Sequence, residues 1–216
     1  ITKQKKFNSS DKLEVKKEEL HSMTLTQQQE YYEKLFQEKK HSSAVEQLNI
    51  GRLMVVDNPN LLAQFYASLG DAYYAQEDIQ LSDDSYEKSL EIQPTNTYVL
   101  NNYSYYLSLR KIKLKQAREM MKTCVSLVPN QSSYEDTYAW IFYQMGDYDK
   151  ALVWIKKSLE NGGSTSSTIV EHYGDILYKH DRKEEALNQW LKAKELGSKS
   201  EWIEQKITDK KRDKLY

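Results

Sequence analysis

The chain has 216 residues, 39% of them hydrophobic and 29% charged, and its 31 basic and 32 acidic side chains leave a net charge of −1. That composition belongs to a folded chain rather than a disordered one, and the charge balance excludes a global field that would gather nucleic acid or an anionic membrane. Three prolines and seven glycines, against an average usage of about 5% and about 7%, supply too few turn formers for a β-sandwich, a barrel, collagen or a Gly/Ser linker.

The rarest residue is evenly spaced, with Pro59, Pro94 and Pro129 at successive intervals of 35 residues, so internal repeats are the first thing to look for. Residues 1–23 read as a charged segment, either helical or the end of a preceding repeat. The chain opens on Ile1 rather than Met and shows no signal peptide, which reads as a processed or excised form. In 24–60, Tyr31, Tyr32 and Leu35 followed by Ala44, Leu48 and Gly51 fit a degenerate helix pair whose second helix runs late towards Pro59.

The next unit, 62–95, reads Tyr66-x2-Leu69-Gly70-x2-Tyr73, then Ser82-x3-Tyr86, then Pro94. The large residues keep helical spacing and form one apolar face. Gly70 and Ser82 are small where two helices must approach, and Pro94 ends the second helix. Unit 97–130 repeats the register with Leu100, Tyr103, Ser104 and Leu107, then Ala117, Met121, Cys124 and Pro129, and holds one extra residue near Lys111-Ile112-Lys113-Leu114. Unit 132–163 has Tyr138, Ala139 and Phe142, then Ala151, Ile155 and Ser158, and closes on Gly162-Gly163, read with Ser164 as a linker. Unit 167–197 has Tyr173, Gly174 and Leu177, then Ala186, Trp190 and Ala193.

Ser82, Ala117, Ala151 and Ala186 recur at 35, 34 and 35 residues, and four units in phase exceed chance. Ser132-x-x-Glu135, Thr168-x-x-Glu171 and Ser198-x-x-Glu201 read as capping boxes before helices. Each proline reads as the close of a helix pair. Residues 198–216 read as a capping helix and basic tail, with Trp202, Ile203 and Ile207 grouped on one side to cover the last apolar surface.

This pattern resembles the tetratricopeptide signature W-x2-L-G-x2-Y…A-x3-F…P, over roughly residues 24–200. The strings Leu100-Asn101-Asn102-Tyr103-Ser104-Tyr105-Tyr106-Leu107, Asp136-Thr137-Tyr138-Ala139-Trp140 and Glu171-His172-Tyr173-Gly174-Asp175, with the basic end Lys206-Ile207…Lys210-Lys211, are similar to the repeats of Bacteroides-type envelope lipoproteins. The resemblance implies an all-α, right-handed superhelical solenoid whose first helices line a concave face. It implies a lipid-anchored parent chain facing the periplasm, with a cytoplasmic location as the alternative.

Carrying over the family's groove positions gives Asp71, Tyr74, Tyr98, Asn101, Asn102, Tyr105, Asp136, Trp140, Tyr143, Glu171, Asp175 and Tyr178 as partner-binding residues. The groove is then aromatic and acidic, suited to a neutral or basic peptide or protein segment. The clamp of Lys, Asn and Arg by which chaperone-tail adaptors hold a terminal carboxylate is not matched: Ala67, Asp71, Ser133 and Thr137 stand at its places and Asn102 alone survives. The expected function is a non-catalytic interaction scaffold, and the alternative is a self-associating structural module, a homodimer or envelope-complex subunit.

No catalytic motif, cofactor or metal site is expected. The four histidines fit no ligand spacing with Cys124, which as the sole cysteine forms no internal disulfide and reads as an inert packed thiol. His172 and His180 read as surface or packing residues, Glu184-Glu185 as a solvated helix start, and the basic ends as tails rather than nucleic-acid sites. Apolar runs such as Ala139-Trp140-Ile141-Phe142 are far too short to span a bilayer.

Overall fold

Helical periodicity organises the whole of what the structure describes. A computed structural model of the chain describes Gln27 and residues 41–212. These divide into two compact units, one up to Pro94 and one from Thr95. Among the described residues there is no strand. The charged segment 1–23 and the first helix expected around Tyr31 and Leu35 lie outside the described residues.

The first unit holds α1 (His41–Met54), α2 (Pro59–Ala75) and α3 (Ile79–Ile92). Its core joins Leu48 and Ile50 of α1 to Val55 and to Phe65, Leu69 and Ala72 of α2. The expected close approach of α2 and α3 occurs at Gly70, where Ser82 Oγ donates to the Gly70 carbonyl at 2.8 Å and Tyr86 is fully buried.

The second unit holds α4 (Thr97–Leu109), α5 (Leu114–Leu127), α6 (Ser132–Gln144), α7 (Tyr148–Glu160), α8 (Ser167–Lys179), α9 (Lys183–Glu195) and α10 (Ile203–Arg212), with a 3₁₀ turn at Gly163–Thr165. The helices pair as α4–α5, α6–α7 and α8–α9, and α6 packs between α4 and α8. The small second-helix residues Ala117, Ala151 and Ala186 are all fully buried. A cross-helix clasp recurs about two turns further along, in both units. Ser89 Oγ donates to the Ala63 carbonyl at 2.8 Å, Cys124 Sγ to Thr97 at 3.4 Å and Ser158 Oγ to Ser132 at 2.7 Å.

The turn inside each pair needs one left-handed residue, supplied in successive pairs by Glu77, Lys111, Gly146 and Asp181. Only Gly146 takes that conformation without steric cost to a Cβ. The extra residue expected at 111–114 is present: that turn runs from Arg110 to Lys113, and Lys113 is left-handed as well.

Several local readings are corrected. Pro94 and Pro129 each follow the C-cap of a second helix, but Pro59 opens α2 at its first turn behind the N-cap Asn58. Its missing N–H costs nothing there. The three Ser/Thr-x-x-Glu strings are not capping boxes. Gln131 and Ser166 are the N-caps of α6 and α8, α10 begins only at Ile203, and tertiary partners hold two of the three glutamates. Glu135 accepts from Asn161 Nδ2 at 2.8 Å, and Glu171 accepts from Ser198 Oγ at 2.7 Å. Gly163 is buried and packed rather than a loose linker, since a Cβ there would lie 2.7 Å from the Ser158 carbonyl. Ile203 and Ile207 of α10 cover Val170, Leu177, Leu187 and Trp190 as a cap should, but Trp202 is 62% exposed because it precedes the helix.

Candidate functional site

First helices of a repeat carry two kinds of surface: one face packs on the second helix, and the other is free for neighbours or partners. The twelve positions named from the sequence fall on α2, α4, α6 and α8. Asp71 and Tyr74 belong to the first unit and the other ten to the second.

In the first unit Asp71 is committed inside its own helix pair, accepting from the buried Tyr86 hydroxyl. Tyr74 is half-buried. In the second unit α4 presents Tyr98, 51% exposed, with Asn101, Asn102 and Tyr105 half-buried. Asn101 Nδ2 donates to Asn102 Oδ1 at 3.1 Å, and its own Oδ1 is buried with no partner among the described residues.

On α6, Asp136 and Trp140 are buried. The Asp136 carboxylate accepts from His172 Nδ1 of α8 at 2.9 and 3.1 Å. Trp140 stacks on that imidazole, with ring centroids 4.0 Å apart, and on Tyr143, at 4.6 Å. Its Nε1–H is buried and finds no acceptor among the described residues. An unsatisfied buried donor costs about 1–3 kcal/mol, so each such group asks for an explanation.

On α8, Glu171 and Asp175 are buried, and both accept from Lys206 Nζ of α10 at 2.8 Å. Asp175 also accepts from Trp190 Nε1 at 2.9 Å. Tyr178 remains 38% exposed and tilts against Trp190.

The electrostatics follow from this pairing. Burial opposes charging of His172, but the adjacent Asp136 carboxylate outweighs it and raises the imidazole pKa above its ordinary value. Burial raises the carboxyl of Asp175 more than Lys206 lowers it. At Glu171 burial is outweighed by Lys206 and by the serine hydroxyls, so that carboxyl lies below its usual range. Lys206 is raised, because its two carboxylates outweigh its desolvation. The face thus offers fewer free carboxylates than the sequence suggests, since Asp136, Glu171 and Asp175 are each already paired within the fold.

His172 and Lys206, the residues that pair with them, were not among the sequence-derived site residues. Asp136 and His172 lie 36 residues apart, close to one repeat, so repeat spacing carried a faint signal. Lys206 lies in α10, outside the repeat pattern, and carried none. A clearer signal is the pairing of Gly-Asp with an aromatic residue. Asp71 with Tyr86 and Asp175 with Trp190 share a spacing of 15 residues, and both aromatic rings sit against the preceding glycine. Where that glycine is Ser104 or Ala139, the opposing residue is the slimmer Met121 or Ile155.

Cys124 is a buried free thiol, pushed up to about 12 by burial, as an inert packing residue should be. His180 is a packing residue held on the Tyr148 carbonyl at 2.8 Å, beside a surface hollow of about 410 Å³. Among the described residues no cluster of three metal-ligating side chains occurs, and no helix is long and apolar enough to cross a membrane.

The paired, in-register helices are those of tetratricopeptide repeats, and the family model for the tetratricopeptide repeat matches residues 63–96. PilF of Pseudomonas aeruginosa superposes with a TM-score of 0.68 at 18% identity, covering 93% of this chain and 94% of that one. MamA of Desulfovibrio magneticus gives 0.64 at 16%, covering 78% and 92%. A tetratricopeptide repeat protein from Parabacteroides merdae gives 0.65 at 15%, covering 93% and 78%. No curated protein matches the sequence. The chain has the fold of these tetratricopeptide-repeat structures, and the repeat model itself matches within residues 63–96.

Proposed function

We propose that the chain is a non-catalytic scaffold that docks a protein segment along the first-helix face of its second unit. One observation carries this reading. Adjacent helices α4 and α6 hold a buried acceptor, Asn101 Oδ1, and a buried donor, Trp140 Nε1, with no partner among the described residues. They do so among the tyrosines Tyr98, Tyr105 and Tyr143. A main-chain amide supplies both missing partners, an N–H for Asn101 and a C=O for Trp140, and tyrosine gives contact area at low entropy cost.

With Asp136, Glu171 and Asp175 already paired, the segment favoured by this face is neutral to weakly basic rather than strongly cationic. The resemblance of its repeat strings to those of envelope lipoproteins supports a place in a bacterial envelope, and fractionation of source cells tests that separately.

The function is tested by crosslinking the protein in a source envelope fraction and comparing wild type with Tyr98→Ala and Asn101→Ala. Tyr98 is half-exposed, so its loss leaves the fold intact. Loss of the same crosslinked partner in both variants is expected. Partners unchanged in both would move the docking surface off this face.

A further inference from the structure

Lys206 fills the space between two carboxylates of α8. Its ammonium lies 2.8 Å from Glu171 Oε1 and 2.8 Å from Asp175 Oδ2, two carboxylates one helical turn apart on the first-helix face of α8. It also stands 6.0 Å from the centre of the Trp190 ring. Those are the features by which an acidic groove recognises a lysine: two charge-assisted hydrogen bonds and an aromatic face.

Few described side chains dock the helix that delivers it. Among the described side chains of α10, Ile203 and Ile207 are the buried pair. Glu204, Gln205, Thr208 and Asp209 are exposed, and the Lys194–Glu204 ion pair is a surface contact between half-exposed groups that contributes little. Among its described side chains, two buried isoleucines and this ionic contact dock α10. Local opening of such an element costs far less than global unfolding.

We propose that α10 is a displaceable latch, with Lys206 standing in for a lysine of the partner, so that the Glu171–Asp175 pair accepts a cationic segment only when α10 undocks. The site then has two states. In the latched state the face offers the tyrosines, Asn101 and Trp140 to a neutral segment. In the open state it adds two carboxylates, with the unpartnered Trp140 Nε1 on the neighbouring helix. This rests on the docking face proposed above, but the latch itself is measurable without any partner.

The test combines amide hydrogen exchange with binding of a labelled lysine–alanine peptide and its glutamate–alanine counterpart, on the full chain. In Lys206→Met, which keeps most of the aliphatic stem, α10 amides should exchange roughly tenfold faster or more. Amides of α8 and α9 should stay protected, and the lysine peptide should bind at least roughly tenfold tighter than to wild type. Adding Glu171→Gln and Asp175→Asn to Lys206→Met should keep α10 loose and abolish the gain in peptide binding. Unchanged exchange of α10 in Lys206→Met, or loss of α8 and α9 protection along with it, would overturn the latch. A loosened α10 with no gain for the lysine peptide, or an equal gain for the glutamate peptide, would overturn the partner-mimicking role of Lys206. Neither result touches the Tyr98 and Asn101 crosslinking outcome, so the two readings fail separately.

Discussion

Replacing Gly174 by Ala puts a methyl group where the fold has left no room. A Cβ on Gly174 would lie 2.5 Å from Trp190 Cδ1, 2.6 Å from Nε1 and 3.2 Å from the Ala186 carbonyl. Trp190 is 4% exposed and anchored through Nε1 to Asp175, so the ring must move and its hydrogen bond must stretch or break. Overpacking of this kind costs about 1–3 kcal/mol, and a hydrogen bond to a charged acceptor is worth about 1.5–3 kcal/mol. Against these stands a helix-propensity gain of about 1 kcal/mol for Ala over Gly. The net expectation is a loss of about 3 kcal/mol, read as a drop in the urea midpoint followed by far-ultraviolet circular dichroism.

The sharper measurement repeats the change in a Trp190→Ile background, which copies the Ala139–Ile155 pair of the neighbouring repeat, where both residues are fully buried. There the methyl has space, so Gly174→Ala should stabilise by about 1 kcal/mol, although Trp190→Ile itself destabilises. A coupling of about 4 kcal/mol then separates this pair from independent sites, which add to within about 0.5 kcal/mol. If Gly174→Ala costs the same in both backgrounds, the steric argument is wrong.

Two further outcomes follow from buried groups. The raised pKa of His172 means that its charged form stabilises the fold fully below the unfolded value of about 6.5. That contribution is lost as the pH rises through the higher folded value. The urea midpoint should therefore fall over that window, and His172→Gln should flatten this part of the profile while Asp136, Glu171, Asp175 and Lys206 remain. An unaltered slope in His172→Gln would assign the titration elsewhere. Cys124, buried with its pKa pushed up to about 12, should resist an aromatic disulfide reagent in the native state and react once urea unfolds the second unit. Rapid native labelling would contradict its burial.

The repeat architecture was legible because packing inside a helix pair is local. Ser82, Ala117, Ala151 and Ala186 meet the first helix at the same height in every pair, and all four are buried as their spacing requires. Signals that rest on a few neighbouring residues were less secure. Ser132, Thr168 and Ser198 each precede a glutamate by three residues, yet tertiary partners claim two of those glutamates: Asn161 takes Glu135 and Ser198 takes Glu171. A cap competes with every other donor the fold brings within reach, and sequence spacing does not list those donors.

The site divides along the same line. The groove positions carried over from the resembling family put Asn101, Asp136 and Glu171, spaced 35 residues apart, on successive first helices from sequence alone. Whether their charges remain available does not follow from any period. Asp136 is met by His172 from the next pair, and Glu171 and Asp175 by Lys206 from a helix outside the repeat. Sequence by itself determined the helix pairs, their register and the chemistry of each face, because those depend on contacts within about one repeat. Tertiary structure alone decided which carboxylates are paired and which buried polar atoms have no partner among the described residues, because those contacts run between successive repeats and to α10.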